Sequence, residues 1–210
     1  MKKLVKRIMA MLLVCTVVGS ALFGGIAEAA SNQTKAKKYL NSATKDCKKV
    51  MDTIDSSWYF QVYEDYSGKS VIYNYALSVG ISQSKVKKII KKKYGKTDWA
   101  GQAACVQVLS YNLGIVHTYY SDKGTFKKIK KNLAKAKKCI KTLSGSKKRK
   151  YIKYYNAVNK YYKFVNNPSG SYSGLESKRE SLESKVDDAK LVNRLIVGSV
   201  KILNISLNGG

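Results

Sequence analysis

Fifty-three consecutive residues, 123 to 175, contain no Asp or Glu, yet they carry sixteen Lys or Arg. Helices in such a stretch cannot form the i, i+4 ion pairs that support exposed helices, and solubility alone is served as well by mixed charge. Histidine is nearly missing as well: His117 is the only one, and HExxH, GxSxG, CxxC and Gly-rich phosphate-loop patterns are all absent. The usual starting points for metalloproteases, serine hydrolases, thiol oxidoreductases and nucleotide-binding enzymes are therefore missing, and one His with scattered acids is no metal site. Proline occurs once, at Pro168, so few positions forbid helix. After residue 30 no run is apolar enough to span a bilayer, because 191–207 is interrupted by Asn193, Arg194, Lys201 and Asn204.

The N-terminus reads as an export signal. A basic start with Lys2, Lys3, Lys6 and Arg7 is followed by an apolar stretch from Ile8 to about Phe23, then by Ala27-Glu28-Ala29, a small-x-small cleavage pattern. Residues 1–29 are expected to be removed, leaving a mature chain from Ala30. Cys15 does not suit a lipoprotein anchor, because bulky Val14 precedes it and the apolar run continues beyond it. Removal of four basic residues and one acidic residue from totals of 40 and 13 leaves 36 and 12 over 181 residues, enough chain for one domain with its own core. Cys47, Cys105 and Cys139 remain. One disulfide in any of three pairings would leave a free thiol, but two of these cysteines sit in apolar surroundings and read more simply as buried small hydrophobes.

Apolar residues recur at three and four along the mature chain, predicting an all-α bundle of about five to seven helices. Ala36, Leu40, Ala43, Cys47, Val50 and Ile54 form the stripe of a first helix over 33–55. The aromatic-rich segment 57–79, broken at 66–69, reads as a packing centre around Trp58, Tyr59, Phe60 and Tyr63, with a strand hairpin as the alternative. A cationic helix over 85–94 is expected to start at Ser82 or Ser84 and end at Gly95. Residues 97–120 lack Lys and Arg and are apolar nearly all round, which predicts a single helix in the middle of the bundle. Thr125 is expected to cap a helix whose apolar set Phe126, Ile129, Leu133, Ala136, Ile140 and Leu143 has 3-4-3-4-3 spacing, ended by Gly145. Another helix from Ser146 carries Tyr151, Tyr155, Val158, Tyr162 and Val165, with Tyr154, Tyr161 and Phe164 beside them.

The domain organisation is then a cationic bundle over 30–166, a linker at 167–174 holding Pro168 and Gly170, and a C-terminal helix over 175–210 that packs on the bundle or self-associates. Ser173 and Glu176 have the form of a capping box. The helix has six basic and five acidic residues, and Leu182, Val186, Ala189, Ile196, Val200 and Leu203 take heptad core positions with Asn193 among them.

Function is read from charge. Lys127, Lys128, Lys131, Lys135, Lys138, Lys148, Arg149 and Lys150 are the expected binding residues for an anionic wall polymer or anionic surface, held by Coulomb attraction and counterion release. A charge run is more commonly a solvated helix face, and abundant Lys, Tyr, Asn and Ile also follow from an AT-rich coding bias. A secreted protein-interaction module, assembling through residues 175–206 or the segment 58–66, is the main alternative. Membrane action would need the amphipathic helices to leave the core that their apolar faces build. A hydrolase using Glu64 and Asp65 with Asp98 has no supporting motif. No catalytic residue, metal or cofactor is assigned, and no specific nucleic-acid partner is expected.

Overall fold

In a computed structural model, the backbone is described for residues 2–63 and 70–207 and the side chains for 30–62 and 70–191. The described chain is all-α and contains no strand, so the hairpin alternative for 57–79 falls away. Among the described residues there are eight helices rather than five to seven: α1 Lys2–Tyr63, α2 Val71–Ser78, α3 Gln83–Tyr94, α4 Trp99–Gln107, α5 Leu109–Asp122, α6 Thr125–Lys141, α7 Gly145–Asn166 and α8 Tyr172–Leu207. Residues 2–29, the expected signal segment, continue the backbone of α1, and their side chains lie outside the described residues.

Helix α1 occupies the middle. The stripe Ala36, Leu40, Ala43, Cys47, Val50 and Ile54 is buried throughout, and it packs against α5, α6, α7 and α8. The predicted apolar sets of α6 and α7 close on it: Phe126, Ile129, Leu133, Ala136, Ile140 and Leu143 from one side, and Tyr151, Tyr154, Val158, Tyr161 and Val165 from another. Burial outweighs self-repulsion in α6. Each exposed like-charged neighbour on a helix costs a few tenths of a kcal/mol, whereas a buried Leu, Ile or Phe side chain stabilises by about 1.5–3 kcal/mol. A second core lies at the C-terminal end of α1, where Phe60 meets Ile72 and Tyr75 of α2, Val86, Ile89 and Ile90 of α3, Cys105 and Val106 of α4, and Ile115 of α5.

The segment 97–120 is not one central helix. It breaks at Val108, a single extended residue with φ −100° and ψ 120°, and Trp99, Val108 and Tyr111 are exposed. The break lets the two halves face different ways. Ala103, Cys105 and Val106 turn to the second core, while Val116 and Tyr120 turn to the first. Asn112, fully buried, repairs the ladder: its Nδ2 donates to Val106 O at 3.4 Å and to Ser57 O at 3.3 Å, and its backbone O accepts from Tyr75 Oη at 3.0 Å.

Other element ends differ from expectation in instructive ways. Helix α1 runs eight residues past Asp55, because Trp58 and Phe60 are buried on its continuing face. Gly95 ends α3 in the left-handed conformation at φ +70°, as expected, and Ser82 starts that helix without a side-chain cap. Gly124, not Thr125, takes the cap position of α6, and α6 ends before Gly145, which instead opens α7. Helix α8 begins at Tyr172, so its first amides are met by Ser171, whose Oγ accepts from Gly174 N–H at 3.2 Å, and not by the Ser173–Glu176 pair.

One close approach fixes α3 on α5. Tyr94 Oη donates to Tyr111 O at 3.0 Å, the two rings are 4.8 Å apart, and a Cβ at Gly114 would lie 2.0 Å from that hydroxyl. Gly114→Ala must push Tyr94 aside and is expected to cost about 1–3 kcal/mol in urea unfolding. Tyr94→Phe in the same chain should recover part of that loss, giving a non-additive double-mutant cycle; strict additivity would place the strain elsewhere.

Candidate polyanion-binding surface

Several carboxylates are engaged away from the cationic stretch 123–175. Arg179 of α8 reaches across to α1, where it binds Asp52 and sits 2.9 Å from Asp55 Oδ2, and it also pairs with Glu183 one turn along α8 at 3.3 Å. Lys48 of α1 answers from the other side, 3.6 Å from Glu183 and 3.4 Å from Asp187, and Tyr161 Oη of α7 donates to Glu183 Oε1 at 2.6 Å. The nearly balanced charge of α8 is thereby used in docking it on α1 and α7. Burial pushes the Asp55 carboxyl up, against the lowering effect of Arg179, and Asp55 Oδ1 has no hydrogen-bond partner.

Of the sixteen cations in residues 123–175, only Lys128 lies within salt-bridge distance of a carboxylate among the described residues, its Nζ 3.0 Å from Asp46 Oδ2. The eight sequence-selected residues do not form one face. Lys127, Lys131 and Lys138 stand on the outer ridge of α6, exposed and opposite its buried stripe. Lys128 and Lys135 lean back toward α1, Lys135 lying 5.3 Å from the Tyr39 ring centre. Lys148 sits with Lys137 and Lys141 in the crevice between α6 and α7, and its Nζ donates to Lys141 O at 3.4 Å.

Arg149 and Lys150 belong to a different feature, a groove of about 690 Å³ between α7 and α8. Lys153 and Lys160 continue its α7 wall, Lys185 and Asp188 stand on the α8 wall, and the small side chains of Ala157 and Ala189 keep it open. Residues 149, 153, 156 and 160 follow helical i, i+4, i+7, i+11 spacing, so the cationic wall runs about 16 Å along α7. Sequence reading missed Lys153, Lys160 and Lys185. The spacing on α7 was available, but the opposing wall required knowing which face of α8 packs there.

The residues considered for catalysis are dispersed. Asp98 is the N-cap of α4, its Oδ1 accepting from Gly101 N–H at 2.7 Å, and that bond holds its carboxyl below the usual range. Glu64 and Asp65 lie outside the described residues. His117 Nδ1 is 3.5 Å from Ser121 Oγ, at the outer limit of a hydrogen bond and beyond the reach a general base needs. Among the described residues no group of three or more His, Cys, Asp or Glu could hold a metal, and no helix is long and apolar enough to cross a membrane. No family model, curated protein or solved structure matches this chain.

Cys47, Cys105 and Cys139 are free thiols, the first two buried. Burial, with Asp46 adding to it, pushes the Cys47 thiol up to about 12. With a thiol reagent at neutral pH, Cys139 is expected to react first and Cys47 only on unfolding; fast labelling of Cys47 in the folded protein would contradict its placement.

Replacing Arg179 by Met leaves Asp52 and Asp55 without their cation, and Glu183 with Lys48 and Tyr161 alone. The expected loss is about 1–3 kcal/mol, discounted for the partial exposure of the cluster. A carboxyl whose folded pKa lies above its unfolded value stabilises the fold more as pH falls through that window. Removing Arg179 raises the Asp55 pKa further, so the deficit should be largest at neutral pH and shrink as the solution is acidified. Urea unfolding of both proteins across pH measures this, and a deficit that grows on acidification would refute it.

Proposed function

We propose that this protein is exported, loses residues 1–29, and binds an anionic wall or cell-surface polymer through the α6 ridge and the α7–α8 groove without catalysing a reaction. The observation that supports this reading is the uncompensated charge: fifteen of sixteen cations in 123–175 have no carboxylate within salt-bridge distance among the described residues, although the fold pairs Lys48, Lys92 and Arg179 elsewhere. A chain selected only to stay soluble has no need to segregate charge in this way. Ridge and groove suit different parts of one ligand. The ridge attracts at long range, while the groove has Lys and Arg stems lining an apolar trough with the charges on its rim, suited to an extended polymer laid along α7.

Co-sedimentation with isolated cell walls, intact and stripped of anionic polymers, over a salt series tests the proposal. Binding should be lost on stripping and fall steeply with salt. Replacing Lys127, Lys131 and Lys138 together by Gln should flatten the log–log salt slope by about one for each lysine in contact, with little change in stability. Lys128→Gln should alter binding least, because Asp46 already neutralises that ammonium. Equal binding to stripped and intact walls, or a triple variant indistinguishable from the parent, would refute the reading. Attention would then pass to protein partners of α2, whose Tyr73 and Leu77 are 55% and 70% exposed.

A further inference from the structure

A second concave site lies on the opposite side of α6 from the ridge. Where α3, α5 and the end of α7 converge on the first core, a cleft of about 220 Å³ has buried Ile54, Phe126 and Val165 in its floor and Lys93, His117 and Asn166 on its rim. Its volume is that of about seven waters of bulk liquid, too small for a polymer and sufficient for a compact organic molecule. We propose that this cleft binds a small carboxylate with an apolar or aromatic body, independently of the polyanion surface.

The chemistry of the walls selects that class. Among the described residues Lys93 is the only permanently charged side chain lining the cleft, and no carboxylate lines it. The Lys93 ammonium donates to Gly114 O at 3.1 Å, which fixes its position one turn from His117 and leaves two further N–H groups for a ligand. The His117 ring is stacked on Phe126 at 4.7 Å and 24°, which sets the plane in which the imidazole is presented at the rim. Burial, followed by the neighbouring Lys93, holds His117 below its ordinary pKa, so at neutral pH the rim offers one full positive charge. Asp122, near the end of α5, is engaged by Lys92 at 3.7 Å. A single charge above an apolar floor favours a monoanion with a hydrophobic body over a hydrated phosphate, because the floor gives a fully hydrated ion nothing in return for desolvation.

His117 is the only histidine, so its Cε1 proton gives one assignable NMR signal. Benzoate titrated into the folded protein should shift that signal saturably and raise the apparent His117 pKa, because an anion beside the ring favours the imidazolium and the effect is reciprocal. Acetate carries the charge without the body and benzyl alcohol the body without the charge; both should bind at least about tenfold more weakly, and inorganic phosphate should produce no saturable shift. Lys93→Gln should weaken benzoate about tenfold, the loss of one charge-assisted hydrogen bond. If that variant does not fold, Asn166→Asp, which places a carboxylate on the rim, should abolish the shift. The Lys127, Lys131, Lys138 triple variant should bind benzoate as the parent does, so failure of the polyanion reading and failure of this one are separable. A benzoate shift that never saturates, or one that survives Lys93→Gln and Asn166→Asp unchanged, would overturn the site.

Discussion

Everything in this fold depends on the seam along α1. Its buried stripe from Ala36 to Ile54 is the surface on which α5, α6, α7 and α8 all close, and that shared burial holds α6 as a helix despite eight lysines and no acid. Small side chains recur in the stripe, with Ala36, Ala43 and Cys47 among larger ones, which leaves room for the bulky residues of α6 and α7 in the same core. Past Trp58, which still belongs to the first core, the neighbours change and a second core begins at Phe60, so one helix organises both halves of the molecule.

Charge is partitioned by the same arrangement. Acids on α1 face acids on α8, a juxtaposition that is tolerable because Arg179 and Lys48 are set between them. Concentrating the carboxylates in that contact leaves α6 and α7 facing outward with cations only. Binding surface and internal clasp are therefore two consequences of one distribution of acids along the chain.

Much of this was legible in the sequence, and the failures have physical causes. Three-four spacing identified most of the buried faces of α1, α6 and α7, because each faces a core along its described residues; it passed over Met51 on α1 and put Tyr155 on the α7 stripe, where Tyr154 and Tyr161 are the more deeply buried. The break at Val108 was not legible: a β-branched residue within an apolar run carries no turn signal, and the carbonyl freed there is satisfied by Asn112, whose role depends on tertiary placement. The capping serine of α8 was misread by two residues because Ser171 and Ser173 are equivalent locally, and the choice falls to Ser171, whose hydroxyl accepts from Gly174 N–H. For the candidate surface, exposure of the α6 lysines followed from periodicity. Their division between ridge, crevice and groove did not, since one helix's period shows which face is polar but not which neighbour stands beside it.

The polar junction of Ser57, Tyr75 and Asn112 has a consequence for how the molecule comes apart. Tyr75 Oη donates to Asn112 O and lies 3.1 Å from Ser57 Oγ, so α1, α2 and α5 share buried hydrogen-bonding groups across the boundary between the cores. Peeling α2 and α3 away would orphan those groups inside what remained, at a cost of about 1–3 kcal/mol for each. Partial opening is thereby penalised, and the two hydrophobic cores are tied into a single cooperative unit.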